Sequence, residues 1–436
     1  MRKEVKMNSA NALLDFIKNS PSCFHAVKNI QEKLLSQDFE ELDERKKWNL
    51  QEEKNYFVTR NNSSIISFKL PAFDYRGFLI TASHSDSPSF KIKENPEIKS
   101  EGLTTLNVER YGGMLIAPWF DRALSIAGRI LVKNSDEKNK ISLKEVLVNF
   151  DKDLVTIPNL AIHMNREANE GHHFDIQNEL RPVISADKNF RFKKMLADQA
   201  GVKEDDIVSY DLFLYNRDQG KIWGQDGEFI ISPKLDDLEC AYTCLEGFVS
   251  AAPSKDMVQL FVVFDNEEVG SESRQGAGST FLQDTLRRIN ECCGRNEELY
   301  HTAVANSFLV SADNAHALHP NYVSAADPVN RPQVNGGPVI KFNAAQKYTS
   351  DAVSASVFKQ VCEKAKVPYQ IFTNNSNCAG GSTLGNISNG QVSILSVDIG
   401  IAQWAMHSPN ESAGSKDVDY MIKAIKEFYS SELELS

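Results

Sequence analysis

Residues 77–86 have the sequence GFLITASHSD, which predicts a buried strand followed directly by polar residues. The first six residues are apolar on both faces, as is typical of a central strand in a sheet that is covered on both sides. The runs 257–264 and 308–311 have the same character, and helical patterns such as 352–364 lie between the strands. Strands that alternate with helices predict an α/β fold, with a mostly parallel central sheet and helices on both faces.

The chain changes character at about residue 93. Alternating, turn-rich stretches such as 107–113 and 207–215 are typical of antiparallel β structure. A charged segment at 133–138 predicts a hairpin tip. The predicted boundaries are 1–92 and 233–436 for the two parts of an α/β domain and 93–232 for an inserted β-rich domain.

The composition is that of a globular protein with an acidic balance. The 436 residues include 48 basic and 59 acidic side chains, so the formal net charge is −11. This balance argues against a broad nucleic-acid surface, which needs clustered Lys and Arg. No apolar run approaches the roughly 18 residues of a membrane span, and residues 1–6 lead into no apolar signal core. Because the seven cysteines show no Cys-x-x-Cys spacing, we expect reduced thiols and a cytoplasmic protein without nucleic-acid or membrane partners.

Side chains with metal-binding chemistry follow the predicted strands. They are His84 after the first strand, Glu267 and Glu268 after the second, Asp313 after the third, and His407 shortly after a fourth strand predicted at 392–397. Open α/β sheets bind ligands beyond the carboxyl ends of their strands, so these residues could converge there. Histidines and carboxylates without Cys suit Zn²⁺ or a related divalent ion. The surplus of carboxylates suggests two ions that share a bridging Asp.

Each of these features alone has a more ordinary explanation. A single His after a strand is more often a loop residue, two adjacent Glu are more often solvated, and a single Asp is commonly a helix N-cap. The joint pattern is harder to explain in this way. The residues alone nevertheless do not specify a reaction.

Several segments together resemble one family of peptidases. The most similar segments are His84-Ser85-Asp86-Ser87-Pro88, Leu235-Asp236-Asp237, residues 265–271, residues 311–316 and Ala405-Met406-His407-Ser408. Further similar segments occur in order along the chain, at 22–27, 119–122, 160–163 and 339–343. On these residues the chain resembles the aspartyl aminopeptidase and vacuolar aminopeptidase I family of dizinc metallo-aminopeptidases, in its bacterial branch.

The resemblance implies a centre with two Zn²⁺ ions per subunit, although another divalent transition metal could replace zinc. The implied ligands are His84, Asp236 and Asp313 for one ion, and Asp236, Glu268 and His407 for the other. Glu267 matches the family's general base, and Asp86 matches the carboxylate behind the ligands. The implied reaction releases N-terminal residues from peptides, with Glu267 accepting a proton from water and passing it to the leaving amine. A cis peptide bond between Asp236 and Asp237 is also implied.

The resemblance also implies how the substrate is recognised. Lys341 and Tyr348, with His316 nearby, match positions that contact an acidic N-terminal side chain. A local cation is needed for such a substrate, because the net charge of −11 repels it. Around residues 374–382 the chain is similar to the bacterial branch rather than to the animal enzymes, so both acidic and neutral N-terminal residues stay open.

His163 lies in the predicted insert, and the resemblance implies that it contacts substrate in the active site of a neighbouring subunit. The alternatives are a direct role as a zinc ligand and an ordinary histidine bonded within the β domain. The resemblance further implies a homo-oligomer of twelve subunits built through the insert. Two other functions stay open on the residues alone, namely a non-catalytic oligomeric scaffold with a structural metal site and a dizinc hydrolase of a non-peptide amide.

Overall fold

The computed structural model describes residues 8–134 and 140–434. Its strands, in chain order, are β1 (Glu40–Leu42), β2 (Asn55–Arg60), β3 (Ser64–Lys69), β4 (Gly77–His84), β5 (Ser89–Ser100), β6 (Leu103–Tyr111), β7 (Leu124–Lys133), β8 (Leu143–Asn149), β9 (Val183–Ser185), β10 (Ile207–Asn216), β11 (Lys221–Trp223), β12 (Phe229–Ser232), β13 (Met257–Phe264), β14 (Phe308–Ala312), β15 (Ala315–His316), β16 (Val339–Phe342), β17 (Gln370–Thr373), β18 (Leu395–Gly400), β19 (Ala402–Trp404) and β20 (Glu411–Gly414).

Its α-helices are α1 (Ser9–Lys18), α2 (Cys23–Leu35), α3 (Ile176–Glu179), α4 (Phe192–Ala200), α5 (Leu235–Ser250), α6 (Phe281–Cys292), α7 (Glu297–Ala305), α8 (Ala352–Ala365), α9 (Leu384–Ser388) and α10 (Asp417–Ser430). Short 3-10 helices lie at Ala117–Trp119, Glu204–Asp206, Glu267–Val269 and Val323–Ala325. The predicted α/β fold class is confirmed. Within the described ranges, no helix has both the length and the apolar character needed to cross a membrane.

The largest sheet has nine strands, and its four central strands run parallel to one another. The strand order is β1-β2-β3-β13-β4-β14-β18-β16-β17. The strands β13, β4, β14 and β18 pair in parallel, whereas β3 and β16 pair antiparallel to their central neighbours. Because the four central strands share one direction, their carboxyl ends lie along one edge of the sheet.

The nine-stranded sheet is buried on both faces, because side chains along its central strands alternate between two apolar clusters. In β13, Phe261 and Val263 belong to one cluster, and Leu260 and Val262 belong to the other. Helices α1, α2, α5, α8 and α10 contribute to the first cluster, and α6, α7 and α9 contribute to the second. The sheet is therefore a rigid base for the residues that follow its strands.

Helix α5 packs against β4 and β13 and is held at its C-terminal end by a buried lysine. Lys69, at the end of β3, donates from Nζ to the carbonyl oxygens of Phe248 and Ala251, at 2.7 Å each. The last carbonyls of a helix lack the N–H partners of a continuing helix, and this ammonium adds hydrogen bonds to the backbone there. At the other end of α5, the backbone of Asp236 and Asp237 is not helical, so the helix is kinked there.

A second sheet of six antiparallel strands has the order β8-β7-β10-β5-β6-β9. It has its own apolar cluster, to which α4 contributes. Its strands lie within residues 89–216, whereas the predicted insert covers 93–232. The strands β11 and β12, inside that predicted range, belong instead to a third sheet with β20. The predicted hairpin tip at 133–138 lies largely outside the described residues.

The third sheet has five strands, in the order β11-β12-β20-β19-β15. Strands β19 and β20 are antiparallel, and the turn between them contains His407 at φ +66°. The fourth predicted strand, 392–397, is displaced, because the observed strand is Leu395–Gly400. Val392 and Ile394 are apolar like strand residues, but they pack into the second apolar cluster ahead of the strand. His407 therefore lies in the turn between β19 and β20 of the five-stranded sheet, and not at the end of a strand of the nine-stranded sheet.

Candidate metal centre

Two sheets and one helix bring the predicted ligands together at the carboxyl edge of the central strands. His84 ends β4, Asp236 lies in the first turn of α5, Glu267 and Glu268 lie in the 3-10 turn after β13, Asp313 follows β14, and His407 lies between β19 and β20. The parallel direction of β4, β13 and β14 explains why residues so distant in sequence meet. The predicted cis peptide bond between Asp236 and Asp237 is present.

Asp236 lies at the centre of the cluster, with one carboxylate oxygen toward each histidine. Its Oδ1 is 3.4 Å from Nε2 of His84, and its Oδ2 is 3.4 Å from Nε2 of His407. Nε2 of His84 is also 4.0 Å from Oδ1 of Asp313. Nε2 of His407 is 3.4 Å from Oε2 of Glu268. The two histidines thus mark two neighbouring positions that share Asp236.

The donor atoms form groups of the size that a metal ion needs. The groups in which all donor atoms lie within 4.8 Å of one another are His84, Asp236, Asp237 and Asp313; His84, Glu267 and Glu268; and Asp236, Glu268 and His407. The first group contains one predicted ligand set, with Asp237 as an additional carboxylate. The third group is the other predicted set.

Three buried carboxylate oxygens at this centre have no hydrogen-bond partner in the described part of the chain. They are Oδ1 of Asp236, Oδ1 of Asp237 and Oε1 of Glu268. Leaving a buried charged oxygen without a partner is costly. Histidine and carboxylate donors without Cys are typical of catalytic zinc sites. The residues present therefore fit zinc.

The pKa values at the centre depend on burial and on the neighbouring charges. Burial lowers the pKa of His84, but the carboxylates of Asp237 and Asp236 outweigh burial and raise it well above its ordinary value. Burial raises the pKa of Asp236, but the nearby imidazole groups of His407 and His84 outweigh burial and lower it. Burial raises the pKa of Glu267 to about 8. Without a metal, the centre therefore retains protons near neutral pH.

Asp86 lies behind the cluster and connects its parts. Nδ1 of His84 is 3.1 Å from the carbonyl oxygen of Asp86 and 3.4 Å from its Oδ1. The two carboxylate oxygens of Asp86 accept the backbone N–H groups of Glu267 and Glu268, at 3.2 Å each. Asp86 thereby orients the imidazole ring and the turn that presents both glutamates, as outer carboxylates do in zinc sites.

The sequence predicts neither Glu411 nor Asp237 as a site residue, yet both hold the ligands in place. Glu411 is 1% exposed, and it accepts the backbone N–H of Asp236 at 3.0 Å and that of His407 at 2.7 Å. Oδ2 of Asp237 accepts the backbone N–H of His84 at 3.1 Å. The only feature of the sequence that could have indicated Glu411 is its position four residues after His407. Such a spacing is too common to identify a site residue.

A cavity of about 220 Å³ opens beside the cluster and is lined by three of the four predicted substrate-binding residues. Lys341, Tyr348 and His316 line it together with Asp313 and His407. Nζ of Lys341 lies 5.1 Å from the ring centre of Tyr348 and donates to the carbonyl oxygen of Asp313 at 2.8 Å. Burial lowers the pKa of Lys341, but the surrounding acidic groups, of which Asp313 has the largest effect, together outweigh burial and raise it. The cavity therefore contains a cation.

His163 lies apart from this centre within its own chain. It is an exposed residue in a turn, and it belongs to none of the groups of possible metal ligands found among residues 8–134 and 140–434. The structure thus does not bring His163 to the metal centre of the same subunit. Its contact with a neighbouring subunit stays a prediction.

We expect metal-free protein to lose stability as the pH rises, because of the buried carboxyls at this centre. Burial raises the pKa of Glu411 and that of Glu267 from 4.5 to about 8. A carboxyl group whose pKa is higher in the folded state than in the unfolded state stabilises the fold. This contribution is complete when the pH is below the unfolded-state pKa, and it is lost as the pH rises through the folded-state pKa. The Tm of chelator-treated protein should fall by about 5 °C or more between about pH 5.5 and about pH 8.5. Thermal unfolding measured across this range checks the expectation.

The zinc-loaded protein is the control for this experiment. Its Tm should change much less with pH, because the carboxylates then face cations. A metal-free protein that is as stable at the alkaline end as at the acidic end would contradict the expectation.

Comparison with known proteins identifies the family. The model of the family described as aminopeptidase I zinc metalloprotease (M18) matches residues 16–429. A protein of Clostridium novyi named probable M18 family aminopeptidase 2 is 44% identical over 432 residues, which cover 97% of this chain and 99% of that protein. A protein of the same name from Pseudomonas aeruginosa is 40% identical over 428 residues, with coverage of 96% and 97%.

Solved structures show the same similarity over nearly the whole chain. A chain in the cryo-EM structure of the Ape4 and Nbr1 complex has a TM-score of 0.93 at 34% identity, and the match covers 99% of this chain and 88% of that chain. The S. cerevisiae mApe1 dodecamer has a TM-score of 0.83 at 25% identity, with 96% of each chain covered. Together with the His and carboxylate cluster, these matches show that the chain belongs to the M18 family of zinc metalloproteases and is a zinc-dependent aminopeptidase.

Proposed function

We propose that this aminopeptidase uses two zinc ions per chain, held by the two donor groups that share Asp236. The observation that carries the proposal is that each oxygen of Asp236 lies 3.4 Å from a different histidine nitrogen. The proposed ligands are His84, Asp236 and Asp313 for one ion, and Asp236, Glu268 and His407 for the other. When bound, zinc polarises the scissile carbonyl and makes a water molecule more acidic.

Glu267 is the general base in this proposal. It lines the same cavity as Asp236 and Asp313, and its backbone N–H is held by Asp86. Its carboxylate takes a proton from the attacking water and then donates that proton to the leaving amine. A carboxyl group whose pKa is raised by burial is suited to both transfers, because it can change its protonation state near neutral pH.

The cavity beside the centre is the proposed site for an acidic N-terminal side chain. Lys341 supplies a cation there, and Tyr348 and His316 supply further polar groups. A local cation is required because the net charge of the chain is −11 and repels acidic substrates. Lys341 also contacts Asp313, so it has both a recognition role and a supporting role in the proposal.

Replacing Lys341 by methionine is expected to impair cleavage of aspartyl substrates more than cleavage of leucyl substrates. The ratio of the two kcat/KM values should change by about tenfold or more, since a hydrogen bond to a charged group contributes about 1.5–3 kcal/mol. Steady-state kinetics with both substrates measures the ratio. Lys347→Met, at an exposed neighbouring position, is the matched control. Equal losses for both substrates would show that Lys341 only supports Asp313.

We also propose a homo-oligomer of twelve subunits in the cytoplasm. The fold is similar to that of the S. cerevisiae mApe1 dodecamer. Segments 1–92 and 233–436 form the catalytic domain in this proposal, and the insert at 93–232 forms the contacts between subunits. The exposed His163 of the insert then contacts substrate in a neighbouring subunit. All seven cysteines lie in the described ranges and are free, which suits a reducing compartment.

The experiment that tests the two-zinc proposal combines a panel of aminoacyl fluorogenic substrates with metal analysis. Purified protein should cleave these substrates, lose the activity on chelation and regain it when about two zinc ions per chain are restored. Full activity with one zinc ion per chain would contradict the shared role of Asp236. A zinc-loaded protein that cleaves none of the panel would contradict the peptidase mechanism.

A further inference from the structure

We infer that Tyr111 is a positioning residue of the metal centre and acts through Asp86. The hydroxyl group of Tyr111 donates to Oδ2 of Asp86 at 2.7 Å. The same carboxylate holds the turn of Glu267 and Glu268, and Asp86 also contacts the ring of His84. The inference rests on the proposed function, because it takes these three residues as base and ligands.

The direction of the Tyr111 hydroxyl group is set by the loop after β13. Nδ2 of Asn266 donates to the Tyr111 oxygen at 2.8 Å, so the hydroxyl proton is free to point at Asp86. Oδ1 of Asn266 in turn accepts from Oγ of Ser273 at 2.7 Å and from Nε2 of Gln275 at 2.8 Å. A chain of hydrogen bonds therefore fixes the hydroxyl group that holds Asp86.

Tyr111 comes from a different sheet than Asp86. It is the last residue of β6 in the six-stranded sheet, and its ring packs edge-to-face on Phe213 of β10, with 5.4 Å between ring centres. Asp86 follows β4 of the nine-stranded sheet. The hydrogen bond between them thus couples the six-stranded sheet to the metal centre.

Residues 112–115, which follow Tyr111, also lie beside the metal centre. Gly112 has φ +78°, and a Cβ atom at this position would lie 3.1 Å from Cβ of Glu268 and 3.2 Å from its carbonyl oxygen. The backbone N–H of Leu115 donates to the carbonyl oxygen of His407 at 3.1 Å. Segment 111–115 therefore contacts Asp86, Glu268 and His407 in turn, which supports a positioning role over simple packing of one aromatic ring.

The Tyr111→Phe variant removes the hydroxyl group and keeps the ring. The expected result is that kcat falls about tenfold with KM nearly unchanged, and that the dissociation constant for zinc rises about tenfold. This is the lower end of the 10–100-fold range seen when outer partners of metal ligands are changed. Zinc affinity is measured by competition with a chromogenic chelator, which does not depend on activity.

Tyr210→Phe is the matched control. Tyr210 lies on β10 of the same sheet, and its hydroxyl group donates to the carbonyl oxygen of Lys93 at 2.8 Å. The control removes the same atom and one hydrogen bond of similar length, away from the centre. It should leave kcat and zinc affinity unchanged, so any general effect of losing a buried hydroxyl group is subtracted.

A double-mutant cycle with Asp86→Asn tests whether Tyr111 acts through Asp86. If it does, Tyr111→Phe should change zinc affinity by less than about twofold once Asp86 is already replaced, because coupled residues are not additive. Fully additive effects would show an independent, structural role and would overturn the inference. The zinc affinity of Tyr111→Phe alone keeps the inference testable if Asp86→Asn does not fold.

The possible outcomes separate this inference from the proposed function. A Tyr111→Phe variant with the kcat and zinc affinity of the unmodified chain would overturn the positioning role, even if the enzyme is fully active. If the unmodified chain binds zinc but cleaves no aminoacyl substrate, the proposed function fails. The comparison of zinc affinities then still decides whether Tyr111 positions the centre.

Discussion

Replacing Glu267 by glutamine is expected to lower kcat by about 10²–10⁴-fold, which is the usual contribution of a general base. Glutamine has nearly the same size as glutamate, but its amide cannot take up a proton from water. The turn itself should persist, because Asp86 holds the backbone N–H of Glu267 and not its side chain. The measurements are kcat with an aminoacyl substrate, zinc content per chain and the circular dichroism spectrum.

Glu272→Gln is the control for this experiment, since Glu272 is an exposed residue shortly after the same turn. It undergoes the same chemical change and should keep normal turnover. Near-normal turnover of Glu267→Gln would remove Glu267 from the mechanism. Loss of zinc from Glu267→Gln would instead make Glu267 a ligand, as its grouping with His84 and Glu268 would allow.

Replacing Asp236 by asparagine is expected to abolish activity by disrupting both proposed zinc positions. Each carboxylate oxygen of Asp236 faces a different histidine, and the substitution turns one oxygen into an NH₂ group that points at a cation. The expected loss in kcat/KM is at least about 10³-fold, because metal ions supply several kcal/mol of transition-state stabilisation. Zinc content should fall from two ions per chain to one or none, as elemental analysis after dialysis can show.

Asp74→Asn is the matched control, because the Asp74 side chain is fully exposed and belongs to none of the groups of possible metal ligands found among the described residues. It should retain both zinc ions and normal activity. An Asp236→Asn variant that keeps two zinc ions and turns over substrate would contradict a shared carboxylate. Loss of zinc together with loss of the circular dichroism spectrum of the folded protein would point to a structural role of Asp236. Zinc titration of the refolded chain would then decide whether Asp236 also binds zinc.

The central strands could be predicted because their signal is local. A strand buried on both faces is typically a nearly continuous apolar run, and residues 77–82 and 257–264 provide such runs, interrupted only by Thr81 and Gln259. The observed strands are Gly77–His84 and Met257–Phe264. Because His84 ends the first of these strands, its place at the carboxyl edge followed directly from the pattern.

Other parts of the site have no local signal. Glu411 contacts Asp236 and His407 only because β20 pairs in a sheet beside the central strands. Tyr111 reaches Asp86 only because the six-stranded sheet packs against the loop after β4. Both residues look like ordinary strand residues in the sequence. The contacts that make them important join elements that are distant along the chain.

The apolar strands and the kinds of side chain at their ends can be predicted from the amino-acid sequence, since strand burial and residue chemistry are properties of short segments. Only the folded chain places Asp236 between His84 and His407. The contacts of Tyr111, Asp237 and Glu411 with the cluster also arise only on folding. The physical reason is that distances of a few ångströms between these atoms depend on how three sheets and helix α5 pack together. No short segment contains that information.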